Sequence, residues 1–181
     1  FADGTLTYNG AGQKYEKATI SGVSGGTWTY TYTAATGTTA SLDSTGLPLT
    51  AGTYTVTAVY EDDNNYGTAN ATLTINKATP TGTPTYTAIT TSGKTLTDAA
   101  LGIGSITPAG GTITWDAGNA TVVAANTAYG WTYTPTDAAN YNKLTGSITP
   151  YVVSSSGGGG GGSSAATPSV SDKVAKELKN A

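Results

Sequence analysis

The chain has 181 residues and a formal net charge of −3, and it contains no histidine, cysteine, methionine or arginine. These absences exclude Ser-His-Asp and Cys-His nucleophiles as well as zinc, haem and iron–sulfur sites. Net negative charge without arginine also disfavours nucleic-acid binding. Carboxylate chemistry and oxygen-ligated metals stay open, but no spacing pairs two acids across a cleft, so we predict a non-enzymatic protein.

The composition favours β structure. Threonine and the twelve tyrosines favour strands, whereas the 25 glycines favour turns. No apolar run approaches the roughly 18 residues of a membrane span, so direct membrane insertion is not expected. The chain starts with Phe1 and carries no signal peptide, which suggests a processed piece of a longer protein.

Alternating apolar and threonine residues predict strands along residues 28–32, 54–58, 73–75, 113–115 and 129–133. Clusters of Gly, Pro, Asn and Asp separate these runs at intervals typical of small β-sandwiches. Before residue 165 no segment has a helical apolar stripe. We therefore predict an all-β fold for this part of the chain.

Two copies of one pattern are visible. A shift of 75 residues places "GTYTVTAVYEDDNNYG" (52–67) on "TAYGWTYTPTDAANYN" (127–142), and "GGTWTY" (25–30) matches "GGTITW" (110–115). Matches in the same order, with a middle loop of different length, indicate a tandem repeat. We predict two small antiparallel β-sandwich modules, residues 1–77 and 78–153.

The end of the chain differs from the repeats. Residues 154–168 are rich in glycine and serine, which predicts a flexible linker. Residues 169–181 carry an apolar line at Val170, Val174 and Leu178 behind a capping box, which predicts a short amphipathic helix or the start of a further domain.

The acidic stretch "YEDDNNYG" (60–67) has two interpretations. Its oxygen-rich side chains could bind calcium, although the spacing is not that of an EF-hand. The weak calcium candidates are Glu61, Asp62, Asp63 and Asn64. However, the second copy retains only part of this set, which favours a structural turn. The predicted turn residues are Asp62, Asn65, Tyr66, Asp137, Asn140 and Tyr141.

Aromatic side chains are the other candidates for binding. The three tryptophans lie in alternating strands and are predicted to fill the core. Tyr15, Tyr60 and Tyr86 are the expected exposed tyrosines and therefore the candidate ligand contacts. Covalent Lys–Asn or Lys–Asp isopeptide bonds are a further hypothesis, because Lys14, Lys17 and Lys94 lie near the module starts.

Three phrases resemble tandem Ig-like or MBG/YDG-type repeats of bacterial surface proteins: "FADGTLTYNG" (1–10), "AGTYTVTAVYEDDNNYGTANATLTINKATP" (51–80) and "GWTYTPTDAANYNKLTGSI" (130–148). The resemblance covers residues 1–153 and leaves Ig-like and β-grasp topologies open. It implies an extracellular location, at the bacterial cell surface or attached to the cell wall, and no catalytic residues.

Three functions follow as expectations. The chain serves as a structural stalk segment, as an adhesin that binds a surface glycan or protein of a host or neighbouring cell, or as a self-associating filament or surface-layer subunit. No cofactor is expected apart from the weak calcium hypothesis.

Overall fold

The computed structural model describes residues 1–23 and 25–154, and within them it contains strands, bridges and turns but no helix. The all-β prediction is thus confirmed for these residues. The predicted helix at 169–181 and nearly all of the predicted linker lie outside them. The strands are β1 (Gly4–Thr7), β2 (Thr27–Ala34), β3 (Gly52–Glu61), β4 (Tyr66–Asn76), β5 (Thr112–Trp115), β6 (Tyr129–Thr134) and β7 (Leu144–Ile148).

The strands form two sheets. The N-terminal sheet has the order β1-β4-β3-β2, and the C-terminal sheet has the order β5-β6-β7. Pairing is antiparallel except that β1 runs parallel to β4, which the prediction of purely antiparallel modules did not include. After the end of β7, an isolated parallel bridge joins Tyr151 to Ile89.

The 75-residue shift reappears in the strand register. Tyr54 pairs with Leu73 in the N-terminal sheet, and Tyr129 pairs with Ile148 in the C-terminal sheet. Each member of the second pair lies 75 positions after its counterpart, so the two hairpins β3-β4 and β6-β7 have the same register. The sequence match therefore reflects equivalent backbone positions.

Each sheet covers its own apolar core. In the N-terminal core, Tyr54, Val56 and Leu73 are fully buried, and segments outside the strands, including Leu42 and Leu47, pack against them. The buried members of the C-terminal core are Ile89, Leu96, Ala99, Ile106, Trp115, Val123, Trp131 and Tyr133. Most of these lie in connecting segments, so loops form much of the layer that faces each sheet.

The repeated Gly-Gly pair has a steric reason. A Cβ on Gly26 would lie 2.3 Å from the ring of Tyr60, and one on Gly111 would lie 2.5 Å from the ring of Tyr133. Both glycine nitrogens donate to the hydroxyl of that tyrosine, at 3.2 and 3.1 Å. Only glycine allows this close approach, which anchors the segment before β2 and before β5.

Candidate functional site

The acidic stretch forms the hairpin turn between β3 and β4. Asp62 Oδ1 accepts hydrogen bonds from the backbone nitrogens of Asn64 and Asn65, at 2.8 and 2.7 Å. The Asn65 amide donates to both carboxylate oxygens, and the Tyr60 hydroxyl donates to Oδ2 at 2.8 Å. These donors stabilise the charged form and lower the pKa of Asp62 to about 2, with the Asn64 backbone contributing most.

This geometry does not favour calcium. Both oxygens of Asp62 already accept hydrogen bonds, while the neighbouring side chains of Glu61, Asp63 and Asn64 are exposed. The turn borders an open polar concavity of about 830 Å³, which residues 22–23 and 25–27 also line. Among the described residues, no group of three or more acidic side chains is arranged to hold a metal ion.

The second turn follows β6 and has the same Asp–Asn contact. Asn140 donates to Asp137 twice, from its backbone nitrogen to Oδ1 at 3.2 Å and from its side-chain amide to Oδ2 at 2.9 Å. The donated amide hydrogen fixes the side chain so that its oxygen Oδ1 points away from the turn. Asn140 is the buried polar residue of the described chain, with 7% of its surface exposed.

The buried Asn140 oxygen joins the two halves of the chain. It accepts a hydrogen bond from the backbone nitrogen of Ala51, which lies directly before β3, at 2.8 Å. The Asn140 carbonyl accepts from the nitrogen of Ala78 at 2.9 Å, and the Asn142 nitrogen donates to the Ala78 carbonyl at 2.8 Å. The turn therefore contacts two separate backbone segments, one directly before β3 in the N-terminal half and one at Ala78, where the C-terminal half begins.

Side chains complete this contact, which we call the junction (Tyr8, Ala51, Lys77 and Ala78 against residues 137–142). Lys77 Nζ donates to the carbonyl of Ala138 at 2.6 Å. The rings of Tyr8 and Tyr141 meet edge to face with centroids 5.4 Å apart. Burial, with the nearby Asp137 carboxylate, raises the pKa of Tyr8. The junction thus combines backbone, charged and aromatic contacts.

A different arrangement closes the far end of the C-terminal half. Val153, 75 positions after Ala78, donates from its nitrogen to Asn126 Oδ1 at 3.0 Å and accepts from Asn126 Nδ2 at 3.1 Å. The Asn126 side chain thus bonds to the backbone nitrogen and carbonyl of Val153. At Ala78, the same two backbone groups bond to the backbone of Asn140 and Asn142. Asn126 adopts a φ of 55°, in the left-handed region that asparagine tolerates.

The tyrosines predicted to contact a ligand differ in exposure. Tyr86 is 44% exposed. Tyr15 is partly buried, with its hydroxyl donating to the carbonyls of Ala2 and Asp3. Tyr60 is only 3% exposed, so the expectation that it lies on the surface is wrong. It shares the buried face of β3 with Tyr54, and the alternation of that strand would have indicated this.

Two lysines of the isopeptide hypothesis, Lys14 and Lys94, form ion pairs with acidic residues close to them in the sequence. Lys14 lies 3.3 Å from Glu16, and Lys94 lies 3.4 Å from Asp98. Both pairs are exposed and local in sequence, and neither brings together the two ends of a module.

Sequence reasoning assigned Asn140 only to a turn and did not single out Asn126. Nothing in the sequence near Asn140 distinguishes it from Asn65, because the difference lies in a partner 89 positions away. Within the described residues, no helix has the length and apolar character needed to cross a membrane. No protein-family model matches the chain, and a search of curated proteins finds no match.

Proposed function

We propose that the chain is a non-enzymatic structural segment of an extracellular surface protein, in which two tandem Ig-like modules, residues 1–77 and 78–153, act as a spacer with a fixed junction. The observation that carries this proposal is the buried hydrogen bond between Asn140 Oδ1 and the Ala51 nitrogen. A bacterial cell-surface or wall-attached stalk is the setting that the resemblance to bacterial surface-protein repeats implies.

A spacer gains reach from a junction that resists bending. A short connector alone would leave two modules free to rotate, because interfaces between domains of one chain permit relative motion unless they are well packed. Here the turn contacts the preceding module at the Ala51 nitrogen and at the Lys77 side chain, and two separate points of contact restrict rotation about either one alone. The edge-to-face pair of Tyr8 and Tyr141 supports the same orientation.

The equivalent register of the two β-hairpins supports the tandem-module part of the proposal. So do the paired glycines Gly26 and Gly111, which make the same hydrogen bond to a tyrosine hydroxyl. In each proposed module, segments outside the strands cover the core on the side where a β-sandwich would have its second sheet.

Distance measurements between spin labels test the fixed junction. The chain has no native cysteine, so cysteines at the exposed Thr68 and Ser147 can be labelled selectively. We expect one narrow distance distribution for the otherwise unchanged chain and a broad one after Asn140→Ala. Asn142→Ala is the matched control, because its side-chain amide makes only two 3.4 Å contacts. A broad distribution in the chain with Asn140 intact would refute the spacer function.

An adhesive function is the second candidate, and the 44% exposure of Tyr86 favours it. An exposed ring offers a flat face for a sugar or a protein side chain. A glycan array with the chain and with Tyr86→Ala tests this. Binding that depends on Tyr86 would support adhesion, and no binding to any glycan would argue against a carbohydrate ligand.

A further inference from the structure

The two equivalent turns differ in what they contact. Asn140 Oδ1 accepts from Ala51 and Tyr141 packs on Tyr8, whereas Tyr66, the counterpart of Tyr141, is 70% exposed. In Asn65, as in Asn140, the side-chain amide nitrogen is held by the aspartate of the turn. Among the described residues, nothing donates to Asn65 Oδ1. The first turn therefore has the same polar and aromatic groups as the junction, without the partner.

We propose that this turn is an acceptor for the end of another module of the same kind as residues 1–77, placed before this one. Its backbone nitrogen equivalent to Ala51 would donate to Asn65 Oδ1, and its ring equivalent to Tyr8 would pack on Tyr66. The inference depends on the proposed function, because it extends the same junction by one module.

The acidic residues of the first turn fit this partner. At the junction, Lys77 Nζ donates to the carbonyl of Ala138. The residue 75 positions before Ala138 is Asp63, whose side chain is exposed. A lysine equivalent to Lys77 would therefore meet a carboxylate in addition to a carbonyl, and hydrogen bonds between ionised groups are stronger than those to neutral ones. The charges that suggested calcium thus complement the lysine of a preceding module.

The proposed contact at the first turn would depend on side chains more than the junction does. Strands β3 and β4 stay paired as far as Glu61 and Tyr66, so the backbone of this turn is held within its own hairpin. In the second turn, Tyr141 instead forms a bridge with Ala78. The proposed contact therefore depends on Asp63, Asn65 and Tyr66.

The far end of the C-terminal half does not suit the role of partner. Its backbone groups at Val153 are already bonded to the side chain of Asn126. The nitrogen of Asn126, 75 positions after that of Ala51, donates to the Tyr151 carbonyl at 2.8 Å. A second copy of the whole chain would thus present no donor equivalent to Ala51. The partner is a module that ends as residues 1–77 end, joined in the same polypeptide.

The test is an extended chain in which residues 1–82 are repeated before Phe1, with only the added copy isotopically labelled. Amide exchange is then measured by NMR at the added copy's position 51. We expect exchange there to be about tenfold slower than in the same extended chain carrying Asn65→Ala, the factor that loss of one hydrogen bond implies. Asn64→Ala is the matched control, because only the backbone of Asn64 bonds to Asp62.

Equal exchange in all three extended chains would overturn the inference. The original Ala51 amide, labelled in a second sample, separates this failure from failure of the proposed function. If Asn140→Ala accelerates exchange at that amide while the added copy shows no protection, only the inference fails. Dimerisation of the unextended chain through Asp63, Asn65 and Tyr66, measured by sedimentation, would also overturn it, because the partner would then be a second copy.

Discussion

The side-chain oxygen of Asn140 lies 2.8 Å from the backbone nitrogen of Ala51, and this hydrogen bond is buried between the two halves of the chain. The Asn140 amide nitrogen is held by Asp137, so the oxygen keeps its direction whether or not the halves are in contact. Such preorganisation lowers the entropy lost when the contact forms. A single residue thereby couples the local geometry of a turn to the contact between the two halves of the chain.

Asn140→Ala should destabilise the chain by about 1–3 kcal/mol, because it leaves the buried Ala51 nitrogen without an acceptor. The free energy of unfolding from urea denaturation measures the loss. Asn142→Ala, which removes two long and exposed contacts, should change it by less than about 0.5 kcal/mol. An equal loss of unfolding free energy in the two variants would show that the Ala51 contact stabilises the chain no more than the Asn142 contacts do.

Asp62→Ala should disrupt the first turn, whereas Asp63→Ala should not. Asp62 accepts hydrogen bonds from Tyr60, Asn64 and Asn65, while the Asp63 side chain is exposed. Faster amide exchange at Asn64 and Asn65 in the first variant alone is the expected NMR result. The same result for both variants would contradict the assignment of the turn to Asp62.

Asp62 also makes part of the free energy of unfolding depend on pH in the acidic range. The folded pKa of Asp62 is about 2, below its ordinary value of 3.8, so the folded state binds the proton more weakly than the unfolded state. Its contribution is present above pH 3.8 and is lost as the pH falls towards 2. Asp62→Asn should flatten the unfolding curve in this window, and an unchanged pH profile would count against it.

Tyr54→Phe should destabilise the N-terminal half by about 1–3 kcal/mol. The Tyr54 hydroxyl is fully buried and donates to the carbonyls of Thr50 and Ser41, at 2.6 and 2.9 Å, so it holds the loop that covers the core. Phenylalanine would remove the donor of the Thr50 carbonyl and leave the Ser41 carbonyl with only its bond from the Leu49 nitrogen. Tyr86→Phe is the exposed control and should leave the urea midpoint unchanged. A similar midpoint for both variants would show that the loop does not depend on Tyr54.

Local sequence patterns predicted the regular part of the fold. The alternation from Trp28 to Tyr32 lies within β2, with the threonines exposed and Tyr32 buried. The 75-residue shift predicted matching hairpins because identical spacing within a hairpin produces identical pairing. These features depend on neighbours along the chain, which is why a single sequence is enough to find them.

The parallel pairing of β1 and the junction depend on partners far along the chain. Gly4 pairs with Leu73, and Asn140 bonds to Ala51, and no periodicity encodes either contact. The core residues between Ile89 and Ile106 also lie outside regular strands, where alternation gives no signal. Asn65 and Asn140 have the same local sequence role, so only the tertiary structure separates an exposed turn from a buried contact.

Asn126 should hold the end of the C-terminal half at Val153. Two substitutions separate the effect of its side-chain hydrogen bonds from the effect of its left-handed backbone. Asn126→Gly keeps the left-handed backbone but removes both bonds to Val153, which should accelerate amide exchange at Val153 about tenfold. Asn126→Ala removes the same bonds and adds the cost of a left-handed φ, about 1 kcal/mol, so it should lower the free energy of unfolding further. Unchanged exchange at Val153 in the glycine variant would show that the end is closed by other contacts. Suppose that Val153 loses protection in both variants, while the free energy of unfolding falls mainly in Asn126→Ala. The Asn126 side-chain amide then holds Val153 in place, and the left-handed backbone of residue 126 is a separate requirement for stability.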